Sequence, residues 1–220
     1  MPNFSNLFQK LLYSAGAILC FGAYLITQVA FTFPKSQLTT GRIIISILIA
    51  CLCLLAIWKS YSYMLSKQNK WDFSPIFKTD GKSLLYALGG FILIIIVQLL
   101  VISIGGTNTS TNQETLSKLM GKTSPMFYVM LSFIAPICEE IIFRGIFFEI
   151  FFTTPSKRNL ILGALVNGLL FGAAHDLHFD IFFIDYCFTG MVFSFLYLRT
   201  KNISTSVFAH MANNLLALLI

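Results

Sequence analysis

Residues 126–153 read MFYVMLSFIAPICEEIIFRGIFFEIFFT, and this stretch decides the fold. A helix needs about 20 mostly apolar residues to cross a bilayer, so the stretch is long enough. Two adjacent carboxylates, Glu139 and Glu140, and the cation Arg144 nevertheless lie in its middle. An ionisable side chain at the centre of a membrane costs at least about 2.5–3.5 kcal/mol on insertion. The pattern therefore predicts a membrane helix with a polar site inside it.

Six further apolar runs accompany this stretch along the chain of 220 residues. The composition is 56% hydrophobic and only 11% charged, with a mean hydropathy of +0.79. An average soluble domain has about 25% charged residues, so a water-soluble globule and a disordered chain are excluded. We predict an all-α fold, a polytopic membrane helix bundle of about seven transmembrane helices. The other runs are 10–33, 43–66, 84–105, 160–175, 181–199 and 204–220.

The runs divide the chain into three parts. Residues 1–105 contain three plain transmembrane helices, and residues 126–220 contain a catalytic helical core. Residues 106–125 form a polar loop, which begins with a turn-rich linker from Gly105 to Asn112. The division predicts that nearly all buried polar chemistry lies in the C-terminal half.

The basic residues set the predicted orientation. The formal net charge is +6, and most basic residues lie between apolar runs. This is typical of loops that contact the lipid bilayer, and we predict no nucleic-acid partner. We predict an N-terminus inside and a C-terminus outside. The inner side then holds Lys10, Lys67, Lys70, Lys78, Lys82, Lys157, Arg158, Arg199 and Lys201, and the outer side holds Lys35, Arg42, Lys118 and Lys122.

Spacing gives the charged residues of the fourth run different environments. Glu140 and Arg144 are four residues apart, so they share a helix face and can pair. Alone, that pair is equally consistent with a salt bridge that only fixes packing. Glu139 is rotated by about 100° and keeps a free carboxylate, which suits a general base in a low-dielectric site. Pro136 lacks a backbone N–H and is expected to kink the helix just before the pair.

Two later runs add polar residues at the same helical spacing. Phe171 and His175 are four residues apart on the fifth run, and His210 and Asn214 are four apart on the seventh. A lone histidine in a helix is more often a packed residue than a catalyst. Three helices with such pairs, and nothing similar in the first three runs, indicate one shared site.

Two kinds of chemistry fit these side chains. Glu139, His175 and His210 could hold zinc and leave a position open for water. Without a metal, Glu139 and His175 would deprotonate a water, and His210 and Asn214 would donate hydrogen bonds to the developing oxyanion. Both lead to hydrolysis of an acyl bond, most simply a peptide bond. Neither HExxH nor GxSxG occurs in the sequence, so zincin and serine-hydrolase sites gain no support.

The three pairs resemble the motifs of a known family, the CPBP intramembrane proteases. This family comprises type II CAAX prenyl endopeptidases and bacterial Abi (bacteriocin-immunity) proteins. The resemblance covers about residues 126–220, and each motif lies on a separate apolar run. The motifs are Glu139-Glu140-x-x-x-Arg144, Phe171-x-x-x-His175 and His210-x-x-x-Asn214.

The resemblance implies an all-helical membrane protease with its site inside the bundle. Glu139 and His175 would activate the water, and His210 and Asn214 would form the oxyanion pocket. The other motif residues would support the site. They are Glu140, Arg144 and Phe171.

The resemblance also implies partners and a location. We favour a mechanism without a metal, although zinc held by Glu139, His175 and His210 stays open. The substrate would be a membrane-associated protein or a peptide, with nothing to indicate that it is prenylated. The short length resembles the bacterial Abi branch, which is linked to bacteriocin self-immunity and peptide processing. The protein would then be a multi-pass protein of a bacterial plasma membrane.

Two other functions need the same buried polar groups. A non-catalytic immunity or binding protein would sequester a peptide or a partner in the pocket. A small transporter or channel would line its pathway with Glu139, Glu140, Arg144 and Asp185. Asp185, in the sixth run, is otherwise unexplained and is expected to pair with a polar neighbour.

Counting along straight helices places Glu139 roughly 22 Å from the inner face and His210 only about 12 Å from it. The two residues would have to meet in one site, and we attribute this mismatch in depth to misjudged helix ends.

Overall fold

The computed structural model describes residues 4–105 and 110–219 as helices joined by short connections. No strand occurs in these ranges, apart from an isolated bridge between Pro34 and Thr123. The prediction of an all-α, polytopic helix bundle is confirmed. The helices are α1 (Phe4–Phe31), α2 (Thr40–Gln68), α3 (Gly81–Gly105), α4 (Thr111–Met120), α5 (Met126–Phe151), α6 (Lys157–His175), α7 (Ile181–Thr200) and α8 (Ile203–Ala217).

Capping residues explain where most of these helices begin. A Ser, Thr, Asn or Asp precedes α2, α4, α6, α7 and α8, and its side chain accepts a hydrogen bond from a backbone N–H of the first turn. Such caps satisfy donors that a helix N-terminus leaves free. The capping residues are Thr39, Ser110, Ser156, Asp180 and Asn202.

Within the described ranges, five helices are long and apolar enough to cross a membrane: α1, α2, α3, α5 and α7. α6 has 19 residues and α8 has 15, so the count of seven stays a prediction. The connections do alternate between two ends of the bundle. At one end the Trp71 indole donates to the Phe152 carbonyl at 2.6 Å, and at the other Ser124 N donates to the Phe33 carbonyl at 2.8 Å.

The turn between α7 and α8 is largely covered, with Lys201 half-buried and Asn202 buried. The connection after α2 covers it, because Asn202 Nδ2 donates to the Lys78 carbonyl at 2.9 Å and the Lys201 ammonium lies 4.3 Å from the centre of the Trp71 ring. α8 therefore begins below the surface of the bundle. His210 is buried, and a count of residues along α8 does not include the connection that covers the start of this helix.

The segment 106–125, predicted as a polar loop, contains the helix α4, so the prediction was wrong there. Ser110 Oγ accepts a hydrogen bond from Gln113 N at 3.1 Å, as in a Ser-x-x-Gln capping pattern. None of the ten residues of α4, all of them described, is fully buried. Such a polar surface helix does not stand out as an apolar run. Residues 106–109 of the predicted linker lie outside the described residues.

α5 changes its hydrogen-bond register twice along its length. π-helical turns at Met130–Ile134 and Ile141–Ile146 flank ordinary α-helix. In a π-helical turn each N–H donates to the carbonyl five residues back, but Pro136 has no N–H to give to Leu131. A change of register thus lies just before the carboxylate pair, where a kink was predicted. Because Ala135 N donates to the Met130 carbonyl, the Leu131 carbonyl is left without a backbone donor.

Glycines let α6 and α7 approach closely. A Cβ added to Gly190 would lie 2.8 Å from Phe171 Cβ and 3.0 Å from Gly168 Cα. A Cβ added to Gly172 would lie 2.4 Å from the Cys187 sulfur. Real side chains do not fit at these distances, so the small residues are required by the packing. The close approach fixes the position of Phe171 next to the site.

Candidate active site

Glu139 of α5 lies between two histidines from other helices. Its Oε2 atom is 3.9 Å from His175 Nε2 of α6 and 3.8 Å from His210 Nε2 of α8. Glu139 and His210 are buried, and His175 is partly accessible. Oε2 has no hydrogen-bond partner among the described residues. Three side chains predicted to share a site thus lie around one point.

Hydrogen bonds on the far side of each ring fix the imidazole tautomers. His175 Nδ1 lies 2.8 Å from the Phe171 carbonyl, and His210 Nδ1 lies 2.9 Å from Glu140 Oε1. A carbonyl and an ionised carboxylate only accept, so both Nδ1 atoms carry the hydrogen. Each ring therefore directs its Nε2 atom at Glu139, and this atom has a lone pair when the ring is neutral and a hydrogen when it is protonated. A water between the three atoms, or a proton on one of them, makes this arrangement favourable.

The predicted pair of Glu140 and Arg144 is present and fully buried. Arg144 Nη1 donates to Glu140 Oε1 at 2.9 Å, and both side chains are inaccessible to solvent. Arg144 Nη2 donates to the Gly190 carbonyl at 3.1 Å. The same Glu140 oxygen accepts the hydrogen bond from His210. The pair therefore also orients His210, beyond fixing the packing of α5.

Phe171 stands at the centre of an aromatic group around the arginine. The guanidinium carbon of Arg144 lies 4.6 Å from the centre of the Phe171 ring, 5.2 Å from Phe193 and 5.9 Å from Phe143. Such contacts stabilise a desolvated cation. The Phe171 ring also packs against His175, with 4.2 Å between ring centres. Phe171 thus joins the arginine to the histidine that faces Glu139.

Asn214 contacts the irregular part of α5. Its Nδ2 donates to the Leu131 carbonyl at 2.9 Å, the carbonyl that Pro136 leaves without a backbone donor. An amide side chain has two hydrogens to donate. One of them is thus engaged in the fold, and the second can serve a substrate oxygen in the adjoining cavity.

Two residues of α1 also reach the site, and reasoning from the sequence missed both. The Tyr24 hydroxyl donates to Glu139 Oε1 in a short hydrogen bond, and Gln28 Nε2 donates to the Tyr24 oxygen at 2.6 Å. The expectation that the first three runs hold nothing similar to the motif pairs was wrong. Tyr24 and Gln28 are four residues apart, so the spacing that revealed the motifs could have found them.

A cavity of about 530 Å³ adjoins these residues. Glu139, His175, His210 and Asn214 line it, together with residues of α1, α3, α4 and α7. Among the described residues, Asp185 lines the cavity and no lysine or arginine does. Asp185 Oδ1 is buried and has no hydrogen-bond partner in the part of the chain that the structure covers. The expected polar neighbour of Asp185 is therefore not found there.

The donor set has the chemistry of a zinc site but a wider spacing. Zinc with bonds of about 2.0–2.1 Å brings tetrahedral ligand atoms to about 3.3 Å from one another, whereas Oε2 of Glu139 is 3.8 and 3.9 Å from the two imidazole nitrogens. No group of three metal-binding side chains at ligand spacing occurs within residues 4–105 and 110–219. A metal at this point would be held by Glu139, His175 and His210 after a closure of roughly half an ångström.

The fold and the site together define a class of protein. It is a polytopic helical membrane protein in which a buried carboxylate and two imidazoles adjoin a cavity inside the bundle. Water, a carbonyl group and a leaving amine can each be given a hydrogen-bonding partner by these side chains. The arrangement is suited to hydrolysis within the membrane.

Comparison with known proteins leads to one family. Residues 121–216 match the family model of the type II CAAX prenyl endopeptidase Rce1-like proteins. The chain is 33% identical over 138 residues to the membrane-embedded CAAX protease MroQ of Staphylococcus aureus (strain USA300), which is 59% of this chain and 54% of MroQ. It is 33% identical over 140 residues to YdiL of Bacillus subtilis (strain 168), named as a candidate membrane peptidase, which is 61% of this chain and 54% of YdiL.

The matched part therefore spans about half the length of each of these relatives. No solved structure matches the chain. Residues 121–216 are thus similar to the CAAX prenyl endopeptidase family and to bacterial membrane peptidases, and the resemblance inferred from the three motifs is confirmed.

Proposed function

We propose that this protein is an intramembrane endopeptidase that hydrolyses a peptide bond with a water activated by Glu139 and His175. The placement of Glu139 supports the proposal. Its Oε2 atom is buried, has no hydrogen-bond partner in the described ranges and faces two imidazole Nε2 atoms at 3.8 and 3.9 Å. A water at this point can donate hydrogens to the carboxylate and to the lone pair of His175. Transfer of one proton to Glu139 generates the hydroxide nucleophile.

Charge balance suggests a different state for His210. Two carboxylates and one guanidinium leave one negative charge unbalanced in a low-dielectric interior. A protonated His210, hydrogen-bonded through Nδ1 to Glu140, restores neutrality and makes its Nε2 a donor. That Nε2–H and the second amide hydrogen of Asn214 can then stabilise the oxyanion formed by attack on the peptide carbonyl.

Collapse of the tetrahedral intermediate requires a proton on the leaving amine. Glu139, which has received the proton of the water, is placed to return it. No side chain forms a covalent bond with the substrate in this scheme. No metal takes part either, so we expect a chelator to leave the activity unchanged.

The proposal extends to location and substrate. The apolar helices and the bacterial relatives support a multi-pass membrane protein. We place it in a bacterial plasma membrane with the N-terminus inside, and we take the substrate to be a membrane-associated protein or a peptide. Bacteriocin self-immunity or peptide processing is the biological role that we propose.

Cleavage by purified, detergent-solubilised protein tests the proposal. The substrates are fluorogenic peptides, including prenylated and bacteriocin-leader peptides, and the proteins are the parent, Glu139→Gln and His175→Ala, with and without chelator. We expect turnover by the parent that the chelator does not change, and a loss of roughly 100- to 10,000-fold in both variants. Activity lost with chelator and restored by zinc would contradict the metal-free mechanism.

Other results would favour the other functions. A folded parent that cleaves no peptide, with both variants still conferring immunity in cells, would favour a non-catalytic binding protein. Flux through liposomes that Glu139→Gln abolishes would favour a transporter or channel.

A further inference from the structure

The hydrogen bond from α1 to Glu139 joins two halves of the chain. The match to the peptidase family begins at residue 121, so α1 lies outside it. Tyr24 is buried, with 5% of its surface exposed, and its hydroxyl donates to Glu139 Oε1. α1 also packs directly along α5. The N-terminal helix thus supplies a polar group to a site whose other members come from α5, α6 and α8.

We propose that Tyr24 is a positioning residue that fixes the carboxylate of Glu139 for the hydrolysis proposed above, on which this inference rests. The two carboxylate oxygens have different surroundings. Oε1 accepts from Tyr24, whereas Oε2 has no hydrogen-bond partner among the described side chains and faces the two histidines. With Oε1 held, rotation of the carboxylate is restricted and Oε2 remains directed at the water position.

Gln28 sets the direction of this hydrogen bond. Its Nε2 is a donor, so the Tyr24 oxygen accepts at 2.6 Å and the hydroxyl hydrogen is left for Glu139. Both residues lie on one face of α1, one turn apart. Gln28 therefore donates to Tyr24, and Tyr24 donates to Glu139, so each side chain restricts the position of the next. Removal of Gln28 is expected to weaken the restraint without removing it.

A purely structural role for Tyr24 would give a different pattern from a positioning role. Phe at this position keeps the ring and its packing and removes only the hydroxyl. Tyr61 supplies a matched control, since it is also buried and its hydroxyl pairs with the Tyr197 hydroxyl at 2.9 Å, away from Glu139. Tyr24→Phe deletes the hydrogen bonds to Glu139 and from Gln28, and Tyr61→Phe deletes the one to Tyr197. Only the first change removes a hydrogen bond that ends on Glu139.

Steady-state kinetics on a cleaved peptide test the proposal in the full-length protein. We expect Tyr24→Phe to lower kcat roughly 10- to 100-fold, the usual effect of one hydrogen bond to a charged group, with KM within about twofold of the parent. Gln28→Leu should lower kcat only a few fold, and Tyr61→Phe should leave it unchanged. Because Tyr24 acts through Glu139, its effect should be smaller in a Glu139→Asp background than in the parent.

An infrared measurement separates this inference from the proposed function. The carboxyl band that disappears in Glu139→Gln belongs to Glu139, and we expect Tyr24→Phe to shift it while Tyr61→Phe does not. An unshifted band, or a kcat in Tyr24→Phe equal to that of the parent, would overturn the positioning role. A parent that cleaves no peptide, or a Glu139→Gln variant as active as the parent, would instead overturn the proposed function, and the positioning role with it.

Discussion

The three N-terminal membrane helices and the C-terminal helices use their surfaces differently. About one residue in five is buried in the apolar spans of α1, α2 and α3, against half or more in α5 and α7. Lipid covers most of the N-terminal helices, so their side chains are apolar. Protein covers most of α5, and there a carboxylate pair and an arginine are tolerated because each has a partner or a cavity. A membrane helix thus carries charge where neighbouring helices replace the lipid.

The comparison has one exception, which lies on α1. Tyr24 and Gln28 point from a mostly lipid-exposed helix into the polar site. The boundary between the two regions therefore runs along a face of α1 and not at a position in the sequence. Substitutions on each side of this boundary test the distinction.

Arg144→Leu should have the largest effect on stability. It leaves Glu140 buried without its cation, and breaking a buried pair costs about 3–5 kcal/mol. Lys118→Leu is the matched control, because Lys118 and Glu114 have the same spacing on α4 but are exposed, with 3.6 Å between their charged atoms. We expect a cost of no more than about 0.5 kcal/mol there. The free energy of unfolding in detergent is measured for both variants. Equal losses would show that burial does not determine how much the Glu140–Arg144 pair contributes to stability.

Gly190→Ala should destabilise the protein by about 1–3 kcal/mol, because its Cβ would collide with Phe171 and Gly168. Gly89 in α3 provides the contrast, since a Cβ there meets no atom of the described residues within 4 Å. Gly89→Ala is therefore expected to be neutral. Thermal unfolding of both variants checks the difference, and a stable Gly190→Ala would mean that α6 and α7 are less closely packed.

Asn214→Ala should cost about 1–3 kcal/mol, because the Leu131 carbonyl loses its donor. The cost should fall in a Pro136→Ala background, where the restored N–H can donate to that carbonyl. A double-mutant cycle of unfolding free energies measures this coupling. Additive effects would contradict the link between the proline and the asparagine.

Ser46→Ala tests the lipid-facing half and should have the smallest effect. Ser46 Oγ donates to the Ala30 carbonyl at 2.6 Å and joins α2 to α1. Interhelical hydrogen bonds in membranes contribute about 0.6 kcal/mol on average. We expect a loss of that size in unfolding free energy with unchanged cleavage. A loss as large as that of Arg144→Leu would remove the distinction between the two regions.

The sequence predicted the class of fold and the grouping of the site for physical reasons. Apolar runs of membrane length identify helices in lipid, and charges inside such runs stand out because they are costly. Pairs four residues apart then locate the faces that meet. The same reasoning found Glu139, His175 and His210, and it found the buried partner of Glu140.

Other features of the structure are not indicated by apolar runs and charged residues in the sequence. α4 is polar and exposed, so no apolar run indicates it. The depth of His210 depends on a connection that covers the α7–α8 turn, and a count along the helix does not include that packing. Tyr24 is uncharged and therefore inconspicuous in an apolar run, so only its spacing of four residues from Gln28 could have indicated it. The link between Pro136 and Asn214 depends on a π-helical register that neither residue reveals alone.

Turnover of a cleaved peptide by two matched variants of α5 tests the central claim most directly. Glu139 and Glu149 lie on the same helix, and both are buried, but only Glu139 faces the histidines. We predict that Glu139→Gln lowers kcat roughly 100- to 10,000-fold, while Glu149→Gln stays within a few fold of the parent. Equal losses in the two variants, or full activity in Glu139→Gln, would contradict the claim that Glu139 activates the water.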